Sequence, residues 1–203
     1  MIDKFKLKKI LNDSFNSSLK FTNIDNFKDS NSLKSSKFVS IIAQELINEL
    51  FNNNYNLNVI EVDDKGGKYP GEWLLDITIT ENINDFNKKI ILALESESDT
   101  SEKAFNDDFA KLINTKADNY MYLNGVNQKT IQGKQEYINS RLSYAKTFLN
   151  SIEFPSFFIG FWTSPKKING YNSIWSAITD GEFNHLKATH LYEYLNSEFY
   201  EVN

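Results

Sequence analysis

Hydrophobic and polar positions along this chain follow two periods. The clearest period-two stretch is 71–97. Trp73, Leu75, Ile77 and Ile79 alternate with Glu72, Leu74, Asp76, Thr78 and Thr80, and then Ile90, Leu92 and Leu94 alternate with Ile91, Ala93, Glu95 and Glu97. Side chains of a strand point to opposite faces in turn, so two neighbouring strands are predicted over 72–80 and 88–97. A helical period precedes them. Phe38, Ile42, Leu46 and Leu50 recur at i+4 with support from Ile41, and Ser32, Ser35 or Ser36 can cap the helix, which spans 33–53. The NNNYN run at 52–56 ends it. Leu57, Val59 and Glu61-Val62 give a strand, and DDKGGKYPG (63–71) is turn chemistry.

Beyond 97 the pattern turns helical again. Thr100 or Ser101 caps a helix over 102–117 with Phe105, Phe109, Leu112 and Ile113 on one stripe. Tyr120, Tyr122 and Leu123 form a short strand before Asn124-Gly125. A helix over 130–151 carries Ile131, Ile138, Leu142, Ala145 and Leu149, and SFFIGFW (156–162) reads as a buried strand. In the tail, YNSIWSAIT is a strand or short helix, and Leu186, Leu191 and Leu195 suggest a helix over 183–200. Residues 1–32 read as a short helix near 3–12 followed by an irregular, mobile arm, ahead of a single domain over 33–203. A meander of three strands followed by crossover helices implies an α/β fold with a mixed central sheet flanked by helices.

Composition narrows the picture. A chain of 203 residues with 40% hydrophobic content can bury one sizeable core. There is no run of 18 apolar residues, so no membrane span or membrane partner is expected. MIDKFKLKKI is basic but lacks the apolar stretch of a secretory signal, which makes the cytoplasm the expected compartment. The absence of cysteine excludes disulfides and thiolate metal sites. A net charge of −5 argues against strong nonspecific nucleic-acid binding. Lysines nevertheless cluster at Lys4, Lys6, Lys8 and Lys9, at Lys34 and Lys37, and at Lys166 and Lys167, while Arg141 is the sole arginine. That bias fits an AT-rich coding sequence in which lysine stands in for arginine at phosphates.

The acids of the two predicted strands carry the candidate chemistry. Glu72 and Asp76 share one face of the first strand, Glu95 and Glu97 one face of the second. If those faces coincide, three or four carboxylates converge, and they repel unless a cation sits among them or some are protonated. Mg²⁺ or Mn²⁺ suits such oxygen ligands. The competing reading makes them solvated charges on the outer face of an antiparallel hairpin. Asp and Glu are poor strand residues, and Asp76 lies between Leu75 and Ile77, which favours the metal site. Glu45 and Glu49 fall inside or beside the apolar stripe of 33–53, where an acid invites a partner or a metal, or snorkels at the stripe's edge.

This order of elements, with Asp76 on the second strand and Glu95-Ser96-Glu97 ending the third, resembles the PD-(D/E)xK nuclease superfamily, the restriction-endonuclease-like fold, over roughly residues 33–124. EWLLD and ALESE followed by DFAKL are also similar to phrases of bacterial nuclease-like proteins. The resemblance implies a Mg²⁺- or Mn²⁺-dependent endonuclease acting on DNA, in which Asp76 and Glu95 hold the metal with Glu97 or Glu72 as further ligands. A homodimer would suit cutting of both strands. Glu97 stands where the family's lysine usually is, as in its E-x-E variants. Members that relocate an active-site side chain to the following helix place it about 14 residues on, which reaches Lys111 here. Glu49 or Glu45 would match an acid that several members carry on the first helix. The alternative implied by the missing lysine is a catalytically weak or inactive binding module for nucleic acid or a protein.

Other motifs carry less. His185 and His190 have the wrong spacing for a helical zinc pair. Gly66-Gly67-Lys68 lacks the rest of a P-loop and reads as a hairpin turn. Trp162, Tyr171 and Trp175 are better placed as core than as base-stacking residues, and a carboxylate-pair glycosidase lacks an evident sugar cleft.

Overall fold

The structure is a computed structural model that describes residues 2–51, 55–69, 71, 75–83, 88–150, 153–168 and 170–203. Its centre is a seven-stranded mixed sheet flanked by helices. The strands are β1 (Tyr55–Val59), β4 (Ile77–Asn82), β5 (Lys88–Glu97), β6 (Asn119–Val126), β7 (Phe157–Thr163), β8 (His190–Leu195) and β9 (Glu198–Glu201), in that spatial order. β1, β4 and β5 form the antiparallel meander expected from the alternation. The β5–β6 and β6–β7 pairs are parallel, bridged by helices α4 (Glu102–Ile113) and α5 (Ile131–Leu149). Every residue of β6 and β7 is buried, as strands covered on both faces must be.

A second, two-stranded ribbon pairs β2 (Glu61–Val62) with β3 (Lys68–Tyr69). The sequence reading ran Glu61-Val62 into β1, but the chain turns off to make this hairpin instead. Its turn is held by the Asp63 carboxylate, which accepts from the backbone N–H of Lys65 and Gly67 at 2.8 Å each. Gly66-Gly67-Lys68 is therefore part of a turn, and Gly66 takes φ +83° there.

Helices cover both faces of the sheet. On one side lie α1 (Lys4–Ser18), α3 (Asn31–Leu50) and α6 (Ile174–Thr179). Phe38 of α3 stacks on Trp162 of β7 at 4.3 Å, and Phe15 of α1 meets Trp175 of α6 edge-on at 5.7 Å. Both tryptophans are thus core residues. On the other side α4 and α5 place Phe105 and Phe109 against Tyr122, with Phe109 also touching Phe148 and Phe157.

Two stretches depart from the sequence reading. The expected helix near 3–12 is present and longer, and the stretch after it is not an irregular arm. Asp3 caps α1 by accepting from the N–H of Phe5 and Lys6, and Leu7, Leu11 and Phe15 are fully buried. The helix runs to Ser18, followed by a tight turn and the short α2 (Asp25–Lys28). Ser14 and Ser18 are buried together with the apolar side chains, the Ser18 hydroxyl donating to the Ser14 carbonyl, so polar residues interrupt the inward face and dilute the apolar stripe. Residues 183–200 are not a helix either. They hold the β8–β9 hairpin, whose turn residues Asn196 and Ser197 take φ +49° and +64°. The leucine spacing suggested a helix because Tyr192 and Tyr194, which complete the period-two pattern, were discounted.

Gly160 of β7 leaves room for the Leu11 side chain of α1 against the sheet. A Cβ there would stand 2.6 Å from a Leu123 methyl and 3.1 Å from a Leu11 methyl. Leu11→Ala should cost about 2–5 kcal/mol of unfolding free energy, and Gly160→Ala about 1–3 kcal/mol by overpacking, both measured by urea denaturation. A Leu11 variant as stable as the parent would mean that α1 is not packed on the sheet.

Candidate active site

The antiparallel register of β4 on β5 pairs Ile77 with Leu94, so the residue before β4, Asp76, comes to lie beside Glu95. The Ser96 N–H donates to Asp76 Oδ2 at 2.8 Å, and the Asp76 carboxylate is close enough to Glu95 to raise its pKa. On β5 the period of two turns Glu95 and Glu97 to the α4 side and Ser96 to the α3 side. Parallel pairing sets Glu95 next to Tyr122 and Glu97 next to Asn124.

Helix α4 completes the arrangement. Its first turn is capped by Ser101, whose hydroxyl accepts from the Ala104 N–H, and Phe105, Phe109 and Leu112 bury its inner face. That orientation brings Lys111 over the end of β5. Its ammonium lies 3.7 Å from Glu95 Oε1 and 2.5 Å from Asp108 Oδ1. Asp76, from the bend just before β4 rather than from the strand itself, is therefore brought together with Glu95 of β5 and Lys111 of α4.

Glu97 has different company. Its Oε1 accepts from the Asp99 N–H at 2.5 Å, and the Asp108 carboxylate lies near enough to raise its pKa. The acids consequently form two adjacent pairs, Asp76 with Glu95 and Glu97 with Asp108. Among the described residues no three acidic or histidine side chains close on one point. The expected gathering of Asp76, Glu95 and Glu97 around a common centre is thus resolved into these pairs, because successive same-face residues of a strand stand about 6–7 Å apart.

Burial sets the electrostatics. Glu95 is 3% exposed, and its pKa is pushed up to about 9, first by desolvation and then by the Asp76 carboxylate, against the pull of Lys111. Glu97 is pushed up to about 7, again first by desolvation, with Asp108 adding to it and the Asp99 N–H opposing. Lys111 is raised, chiefly by its hydrogen bond to Asp108 and further by Glu95. Beneath them the fully buried Tyr122 hydroxyl has no hydrogen-bond partner among the described residues, and desolvation followed by the Asp108 charge raises its pKa.

A hard divalent cation fits the residues present. Two adjacent carboxylates, one of them buried and resisting ionisation beside the other, form an oxygen donor set under electrostatic stress that positive charge relieves. Mg²⁺ is often held by only one or two carboxylates, with water and substrate oxygens making up the rest. Asp76 and Glu95 would hold it.

The remaining candidates lie elsewhere. Glu72 falls outside the described residues. Glu45 and Glu49 are exposed, because the buried face of α3 is centred on Phe38, Ile42, Ala43 and Leu46. Glu49 lines a hollow with Glu81, Lys89 and Asp118 at the opposite end of the β4–β5 pair, since Glu81 pairs with Lys89 there. His190 pairs with Glu201 at 2.8 Å, and His185 Nε2 lies 3.1 Å from the Gln128 carbonyl oxygen. Asp108 was missed in the sequence. Its signal was its position three residues before Lys111, on the helical face that follows the acidic strand end.

The lysine clusters are mostly engaged internally. Lys4 pairs with Glu193 at 2.7 Å, and Lys9 with Asp13 at 2.5 Å. Lys8 donates to the Thr189 carbonyl, and buried Lys34 and Lys37 donate to the carbonyls of Lys28 and Val62. Lys166 differs, lying beside the site at 3.4 Å from Asp99.

A carboxyl whose folded-state pKa is raised above its ordinary 4.5 contributes stability that is complete below that value and is lost as pH rises through the folded pKa. Without added cation, stability should fall from pH 4.5 upward, first through Glu97 near 7 and then through Glu95 near 9. Glu95→Gln should flatten the upper part of that fall and raise the neutral-pH midpoint by roughly 2–4 °C for each kcal/mol recovered. Thermal melts from pH 4 to 9 check this, and an unchanged slope in the variant would contradict it.

Among the described residues no helix is long and apolar enough to cross a membrane. Comparison with known protein families, with curated proteins and with solved structures yields no match to this chain.

Proposed function

We propose that the chain is a Mg²⁺- or Mn²⁺-dependent nuclease of the restriction-endonuclease-like kind that hydrolyses phosphodiester bonds in DNA. The observation that carries this reading is the meeting of Lys111 from α4 with the buried Glu95 and its neighbour Asp76. An acid from the bend before one strand, an acid from the next strand and a lysine supplied by the following helix make the donor set that the resemblance implies, with the lysine moved off the strand.

A bound divalent cation would supply charge neutralisation at the phosphate and leaving oxygen, and acidify water. The chain's own groups have separate tasks. Asp76 and Glu95 bind and orient. The Ser96 N–H fixes the Asp76 carboxylate so that it needs no rearrangement when the substrate arrives. Lys111 holds positive charge at Glu95, where an ammonium can stabilise a developing anion or position the attacking water. Glu97, with a pKa pushed up to about 7, is suited to take a proton near neutral pH. Phe105, Phe109 and Tyr122 back the site with a dry wall that strengthens these electrostatic interactions.

Asp76→Ala and Glu95→Ala should each abolish Mg²⁺-dependent cleavage of labelled DNA. Lys111→Ala should lower kcat by about 10²–10³-fold with little change in KM, the size seen when one preorganised charge-stabilising group is removed. Full activity in the two acid variants would rule the nuclease reading out.

One contact favours a second reading, a binding module with little or no catalysis: Lys111 is nearer to Asp108, at 2.5 Å, than to Glu95. A titration with Mg²⁺ or Mn²⁺, followed by melting temperature, separates the two. The nuclease should gain stability at millimolar cation, and Glu95→Gln should lose most of that gain. A melting temperature indifferent to both ions would favour the binder.

A further inference from the structure

Asp76 borders a second space on the other face of the sheet from Lys111. This cleft, about 250 Å³, lies between the first turns of α3 and the ends of β4 and β5. Ser32, Ser35 and Ser36 line it from the helix, and Ser96 and Ser98 from the strand end. Among the described residues no hydrogen bond engages these serine hydroxyls, and no basic side chain lines the cleft. Among the described residues the Ser96 Oγ, shielded from solvent, has no hydrogen-bond partner. A buried hydroxyl without a partner costs free energy unless something fills the role.

Five neutral hydroxyls beside one carboxylate point to a ligand rich in oxygen acceptors and at most singly charged at each contact. Hydroxyls donate to phosphate oxygens and also serve sugar oxygens, whereas an isolated anion would meet no compensating cation here. Val39 and Ile60 add a small apolar surface against which a sugar ring can rest. The cleft and the Asp76–Glu95–Lys111 group meet at Asp76, so one extended strand can occupy both.

We infer that this serine-lined cleft holds the sugar-phosphate unit of the nucleic-acid strand next to the bond that is cut, gripping it by neutral hydrogen bonds. The inference rests on the nuclease reading above and extends it to how the substrate is held. It also accounts for nucleic-acid recognition by an acidic chain whose lysine clusters are largely committed to internal contacts.

Neutral contacts release no counterions. The salt dependence of binding follows the number of phosphates neutralised by charged side chains, so removing these serines should weaken binding without altering that dependence. The test uses the full chain, a labelled DNA oligonucleotide and Mg²⁺, with cleavage measured over a KCl series. Ser35→Ala/Ser36→Ala and Ser96→Ala should each raise KM about tenfold, with kcat within about twofold and the salt slope unchanged. Alanine is the better helix former, so the α3 variant should melt no lower than the parent, which separates lost binding from lost folding. Intact cleavage with an unchanged KM in both variants would overturn the cleft and leave the nuclease reading standing. A parent protein that neither binds nor cuts the oligonucleotide would overturn both.

Discussion

The register of β4 on β5 is the constraint on which the candidate site depends. Pairing Ile77 with Leu94 puts two carboxylates side by side at the end of an antiparallel pair, one of them almost wholly out of water. A slip of one residue would turn every side chain of β4 to the other face. It would carry Ile77 and Ile79 out of the core and part Asp76 from Glu95. The apolar residues that make the sheet fold therefore also fix the acids. Their mutual repulsion is a cost borne by the packing of the whole β4–β5–β6 unit, and it is concentrated where a cation can lower it.

The helical layers give that pair its asymmetry. On one side α4 is locked by the Phe105, Phe109 and Tyr122 cluster and delivers an ammonium and a further carboxylate. On the other, α3 lines the cleft with Ser32, Ser35, Ser36 and Val39. Asp76 thus stands between a face that carries charged side chains and a face lined by serines. Arg141 helps to hold the boundary. Its guanidinium lies over the Phe105 and Tyr137 rings and donates to the Thr100 carbonyl at 2.7 Å, fastening the loop between β5 and α4 from the side of α5.

Much of this was legible in the sequence, and the failures have identifiable causes. The meander, the crossover helices and the buried strand at Phe157–Thr163 follow from strong, uninterrupted periods. Asp76, Glu95 and Lys111 could be singled out because acids are uncommon inside apolar strands and because the helix after them has a fixed phase. Asp108 was hidden among the ordinary acids of a helix surface, since only the tertiary fold says which face of α4 looks at β5. The convergence of Glu97 on the same centre was over-read, since sharing a face is not sharing a point. The amino-terminal helices were under-read because Asn, Ser and Lys outnumber the few apolar side chains that pack, and Gly160 gives no local sign that it admits Leu11. The last hairpin was misread because three leucines outweighed the tyrosines that complete the alternation.

The outermost strand carries a consequence for assembly. β9 is four residues long and bears Glu198 and Glu201, the first paired with Lys146 and the second with His190. Short, charged margins of this kind discourage a neighbouring molecule from continuing the hydrogen-bond ladder. Two copies meeting β9 to β9 would have to break those ion pairs and set glutamates against each other. Extension of the sheet past this rim is therefore disfavoured.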